Sequence, residues 1–233
     1  MSRASRVDEV IESLLSVIES GRYAPGSRLP AEEELAVETG ASRLTVREAV
    51  RVLAAQRVLD VRQGRGTFVN PVDKWISIEA LMRVQQANPL EVLVQLFQVR
   101  GFIEIGAAEL FATRVTDEQL DVLRGQLADM QAAHAEVDVA RMVAADLAFH
   151  QTILDGCGNP FIAATMLPLA RPLVEARRET SKLPQMREHA IEEHGKILAA
   201  LVERDRVAAR KAMRSHMRQT QDDTRVFFDR SGE

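Results

Sequence analysis

The hydrophobic period of this chain changes between residues 40 and 70, and that change limits what the chain can fold into. From Ser42 onward, Val46, Ala49, Val50 and Leu53 recur at helical spacing behind a good N-cap. From Val58 the period falls toward two. Val58, Asp60 and Arg62, then Thr67, Phe68 and Val69, flank Gln63-Gly64-Arg65-Gly66, the pattern of two short strands around a glycine-bearing turn. Ahead of this lie two helical segments. "RVDEVIESLLSVIES" spaces Val7, Val10, Ile11, Leu14 and Ile18 along one face, and "AEEELAVETG" is a short helix stopped by Gly40. Three helices and then a hairpin, with the second and third helices joined by "TGAS", is the order of a winged helix-turn-helix.

Charge sharpens that reading. The chain carries net −4 overall, which argues against a general nucleic-acid coat. Residues 1–39 hold four arginines against eight acids, whereas residues 40–70 hold six arginines against Glu48 and Asp60. A small basic patch in an acidic chain suits a short stretch of DNA groove. Charge alone leaves a salt-bridged surface helix equally open. Arg43, Arg47 and Arg51 recur every four residues, offset from the apolar stripe, so their planar forks face outward, where phosphate or guanine could be bound. Thr45 lies between two of them. Gly64 and Gly66 let the hairpin tip approach a backbone, with Arg65 between them free to enter a minor groove. The order of these parts, more than any one of them, points to DNA binding.

Residues 71–88 read as a linker that turns helical, and Trp75, the single tryptophan, is expected to pack between two modules. From residue 89 to 233 the pattern is helical almost throughout. "TDEQLDVLRGQLADMQAAHA" opens with a capping box, Thr116 to Gln119. Pro168 and Pro172 should kink or split the segment after Asn159. The expected fold class is mainly α: an N-terminal winged helix-turn-helix over 1–70, a connecting segment over 71–88, and an all-α helical-bundle effector domain over 89–233. One cysteine, Cys157, excludes an intramolecular disulfide. No apolar run reaches the ~18 residues of a membrane span and the N-terminus has no signal core, so a cytoplasmic protein with no membrane association is expected.

The bundle half contains a polar set that needs explaining. Asp146 and His150 sit one helical turn apart in "ADLAFHQ", among apolar neighbours. His194 lies between Ile191 and Ile197, and His216 beside Met213 and Met217. Four such residues from three helices suit a borderline divalent metal, Zn²⁺, Ni²⁺ or Mn²⁺. A hydrogen-bonded polar cluster fits the residues equally well. His189 points roughly 140° away from His194 on a helix and is not expected to join it. His134 is expected on the surface.

The stretch from Gly21 to Val69 resembles the DNA-binding domain of the GntR family of bacterial transcription regulators. "VRGFIE", "DLAFHQTILDGCGNP", "EHGKILAAL" and "DRVAARKAMRSHM" resemble its FadR-like subfamily, which carries an all-helical FCD ligand-binding domain. The resemblance implies a homodimer on a palindromic double-stranded operator, contacted through Arg43, Thr45, Arg47, Gln63, Gly64 and Arg65. It implies a metal held by Asp146, His150, His194 and His216, and a small carboxylate effector assisted by Arg100. It further implies a repressor under organic-acid control. Alternatives are a regulator whose metal is structural or is itself the signal, and a metal-dependent hydrolase with Glu193 as base. Glu33 departs from the pattern, standing where relatives commonly carry a basic residue that touches DNA.

Overall fold

Helix caps set several of the element boundaries. The computed structural model describes residues 3–84 and 89–231. The first elements are α1 (Arg3–Glu19), α2 (Glu32–Thr39) and α3 (Arg43–Ala55), followed by β1 (Leu59–Arg62) and β2 (Gly66–Val69). Gly40, left-handed at φ 62°, ends α2, and Ser42 Oγ accepts from the Thr45 amide at 3.1 Å to start α3. The antiparallel strands pair Leu59 with Val69 and Arg62 with Gly66, and a single bridge from Arg28 to Phe68 adds to the outer side. The apolar stripe read from the sequence is the core of this unit: Val46, Ala49, Val50 and Leu53 are buried against Leu14 and Ile18 of α1 and Val69 of the hairpin.

A short 3-10 turn (Val72–Lys74) and α4 (Ile78–Val84) follow. Trp75 is not placed as expected. It is buried in the core of the N-terminal unit, with its indole N–H donating to the Asn70 carbonyl at 3.0 Å. An indole that fills a core and still satisfies its one donor gains from both.

The chain divides into two units, residues 1–88 and 89–233. The second contains α5 (Pro89–Ala112), α6 (Asp117–Glu136), α7 (Val139–Gly156), α8 (Pro160–Met166), α9 (Ala170–Thr180), α10 (Pro184–Val202) and α11 (Arg206–Ser231). α5 packs along α11, α6 along α7, and α10 against both α11 and α6. The capping box at α6 is present in both halves: Thr116 Oγ1 accepts from the Gln119 amide at 3.2 Å, and Gln119 Oε1 accepts from the Thr116 amide at 3.0 Å. Pro168 lies in the 3-10 turn (Leu167–Leu169) that splits the expected helix into α8 and α9, whereas Pro172 falls in the first turn of α9, where its missing N–H costs no helical bond. The mainly α architecture with one small wing is as expected, and no helix among the described residues is long and apolar enough to cross a membrane.

Candidate metal centre and nucleic-acid interface

In the N-terminal unit, Arg43 and Arg47 project from the exposed face of α3, and Gln63, Gly64 and Arg65 form the exposed turn of the hairpin. Thr45 is half-buried, its hydroxyl 2.8 Å from Ser42 Oγ at the helix start. Both arginines already have carboxylate partners from the first turn of α2. Arg47 Nε donates to Glu32 Oε2 at 2.9 Å, and Arg43 Nη1 lies 3.6 Å from Glu33 Oε1. The departure noted at Glu33 therefore lies beside one of the arginines expected to read DNA.

In the second unit, three helices bring four buried side chains together. α7 supplies Asp146 and His150, α10 supplies His194 and α11 supplies His216, and one ligand atom from each lies within 4.8 Å of all the others. His150 Nε2 and His216 Nε2 are 3.1 Å apart, and His194 Nε2 is 3.5 Å from Asp146 Oδ1. The outer ring nitrogens are all engaged. His194 Nδ1 donates to the Ala190 carbonyl at 2.6 Å, His216 Nδ1 donates to Gln219 Oε1 at 3.1 Å, and His150 Nδ1 pairs with the Glu104 carboxylate. These partners assign the proton to Nδ1 in each ring and leave each Nε2 lone pair facing inward. Outer acceptors that fix the ring and its tautomer are the usual support of metal-binding histidines. Two lone pairs facing each other across 3.1 Å repel unless a cation or proton lies between them. Three imidazoles and a carboxylate match borderline divalent ions. The residues fit a metal.

The electrostatics agree. Burial pushes the His194 imidazolium down to about 3, against the pull of Asp146. Burial, with His194 and His150 alongside, holds His216 well below the ordinary histidine range. Burial also lowers His150, opposed by Glu104. Burial thus favours the neutral form of all three rings, the form a metal would require. Burial alone would raise the Asp146 carboxyl, but Arg177, His194 and His150 outweigh it and hold it below the ordinary value. Glu104 is likewise kept ionised by Arg100 and His150 against its burial.

Two of these groups carried no role in the sequence reading. Glu104 is buried on α5, one turn from Arg100, and braces His150. Arg177, on α9, brings Nε within 3.2 Å of Asp146 Oδ2 and Nη2 within 3.3 Å of both His216 Nε2 and Thr220 Oγ1. A charged i,i+4 pair inside the very apolar α5 was the available signal for Glu104. Arg177 sits in "EARRET", where nothing separates it from solvated charge. Arg100 is buried, donates through Nε to Glu104, and has no hydrogen-bond partner for Nη1 or Nη2 among the described residues. His189 stays out of the cluster, 3.1 Å from Asp223 Oδ1. His134 is less exposed than expected: Arg187 Nε donates to its Nδ1 at 3.3 Å. Glu193 is held by Lys196 at 2.7 Å.

Comparison with known proteins matches a family description to each unit. The family described as bacterial regulatory proteins, gntR family, matches residues 6–69, and the FCD domain matches residues 95–219. The HTH-type transcriptional regulator LutR of Bacillus subtilis is 28% identical over 91% of this chain and 98% of its own length. The galactonate operon transcriptional repressor of Escherichia coli is 28% identical over 89% and 92%. The Exu regulon transcriptional regulator of Escherichia coli is 30% identical over 87% and 78%. Among solved structures, Streptococcus agalactiae GntR has a TM-score of 0.50 at 30% identity, covering 93% of this chain and 99% of that one. Lar, described as controlling expression of the Listeria monocytogenes agr system, has a TM-score of 0.64 at 21% identity, covering 94% and 96%, a likeness of fold.

Proposed function

The chain belongs to the gntR family of bacterial regulatory proteins and carries an FCD domain behind its winged helix-turn-helix, and from that premise we propose that it is a repressor controlled by a small organic acid bound beside a divalent metal. It is a DNA-binding transcription regulator and not an enzyme. The observation that carries the metal reading is the placement of the ring nitrogens: three Nε2 atoms and the Asp146 carboxylate converge while each Nδ1 faces an outer acceptor. In this reading Asp146, His150, His194 and His216 hold Zn²⁺, Ni²⁺ or Mn²⁺, and the ion supplies an electropositive position for a ligand oxygen. Arg100 offers to the same carboxylate its Nη1 and Nη2, which have no hydrogen-bond partner among the described residues. The relative named for galactonate supports an organic-acid effector.

The protein acts as a cytoplasmic homodimer on a palindromic operator, with Arg43, Thr45, Arg47, Gln63, Gly64 and Arg65 as the contacting residues. Half-sites on a duplex demand a fixed spacing of the two reading heads. An acid that binds one arrangement of the heads better than another shifts operator occupancy by that difference in affinity and no more.

Elemental analysis of protein purified without a histidine tag, beside a His150→Ala, His194→Ala double variant, tests the centre. Near-stoichiometric metal in the first and none in the second is expected. A protein that neither contains metal nor takes up added Zn²⁺, Ni²⁺ or Mn²⁺ would reduce the cluster to a polar core. DNA affinity that followed metal concentration with no acid present would make the metal itself the signal.

A further inference from the structure

Next to the four-residue cluster lies a cavity of about 130 Å³ lined by side chains of two kinds. Arg100, Glu104 and His150 are the charged or ionisable kind; Glu104 and His150 are paired with each other, and the buried Arg100 keeps Nη1 and Nη2 without partners among the described residues. Most of the remaining wall is apolar: Leu147 and Leu154 from α7, Met166 from α8, and Leu173 and Val174 from α9. Gln151 is the other polar side chain on the wall, and its amide nitrogen is already given to Asp155 at 2.7 Å.

We infer that this cavity selects a monocarboxylate with a short hydrocarbon tail and excludes polyhydroxylated acids. The inference rests on the reading that the helical domain binds a small acid, and it names which kind. A buried guanidinium with two nitrogens unpartnered among the described residues calls for a carboxylate, which such a fork can bind through two parallel bonds. Beyond that, the wall has little to satisfy a hydroxyl. Each hydroxyl turned toward Leu154 or Leu173 loses its water and gains no partner, which costs roughly ten-fold in affinity. Each methylene in the same place leaves water for an apolar wall, which gains about four-fold.

The test is calorimetric titration of the full-length protein with propionate, butyrate, valerate and hexanoate, and separately with lactate, gluconate and galactonate. The dissociation constant should fall about four-fold per methylene until the cavity is filled, with gluconate and galactonate more than ten-fold weaker than valerate. Val174→Thr, which keeps side-chain shape at a half-buried position and adds a hydroxyl, should weaken valerate several-fold and leave propionate within about two-fold. Galactonate or gluconate binding tighter than valerate, or a flat response along the straight-chain series, would overturn the inference and leave the small-acid reading standing. Failure of both series to bind would overturn both.

Discussion

Mild acid should weaken the helical domain by an amount set by its buried histidines. In the metal-free protein His194 titrates near 3 and His216 well below its ordinary value, whereas both take up protons near 6.5 once unfolded. The unfolded chain therefore binds more protons than the folded one as pH falls through 6.5, and stability falls with it. The stabilising contribution is fully present above 6.5 and is lost progressively below. Between about pH 7.5 and about pH 5.5 each fully neutral buried histidine costs roughly 1–2 kcal/mol, so the pair costs about 3 kcal/mol. His150 adds less, because Glu104 opposes its shift. Asp146 and Glu104 contribute nothing in this window, since both are ionised in the folded chain and their unfolded values, 3.8 and 4.5, lie below it. The assay is urea unfolding of chelator-treated protein at the two pH values, followed by far-ultraviolet circular dichroism. His194→Gln, which cannot protonate, should remove about half of the difference. A wild-type difference under about 1 kcal/mol would refute the reasoning, and so would a variant that keeps the full effect.

Two substitutions test other parts. Arg177→Met removes the cation beside Asp146 and should destabilise metal-free protein by about 3–5 kcal/mol, the cost of an uncompensated buried charge; added zinc should recover most of it in thermal melts. Melts of the two proteins that coincide without metal would mean Arg177 does not compensate Asp146. Glu33→Ala frees Arg43 and should steepen the slope of log affinity against log salt by about 0.9, one more phosphate contact, while strengthening non-specific DNA binding up to about five-fold, because an exposed pair holds at most about 1 kcal/mol. An unchanged slope in fluorescence anisotropy would show that Arg43 leaves Glu33 freely on DNA.

What the sequence carries plainly is periodicity. The stripe of Val46, Ala49, Val50 and Leu53, the capping box at Thr116 and the break at Pro168 are local features, and local steric and hydrogen-bonding preferences decide them. Asp146 and His150 were legible as neighbours for the same reason, being one turn apart. His194 and His216 could be grouped with them from their apolar surroundings, but without the resemblance the residues leave a metal set and a polar cluster equally open, because how three helices rotate against one another is a property of packing. Arg177 and Glu104 went unread for a related reason. A charged residue in sequence looks solvated until the fold buries it, and only then does the need for a partner identify one. Trp75 was misplaced because an aromatic in a linker fits a domain seam or a core equally well, and the choice depends on whether its N–H finds an acceptor, here Asn70.

That position of Trp75 has an optical consequence. The chain's one tryptophan and its one tyrosine, Tyr23, both lie in the N-terminal unit, and the helical unit has neither. Intrinsic emission is therefore blind to the helical unit itself, while the dichroism of a chain with most of its helix there is dominated by it. Metal or acid added to the intact protein changes indole emission only if the event reaches the DNA-binding unit. The unlabelled protein thus reports its own interdomain coupling, and the titration midpoint of that signal is the concentration at which the coupling operates.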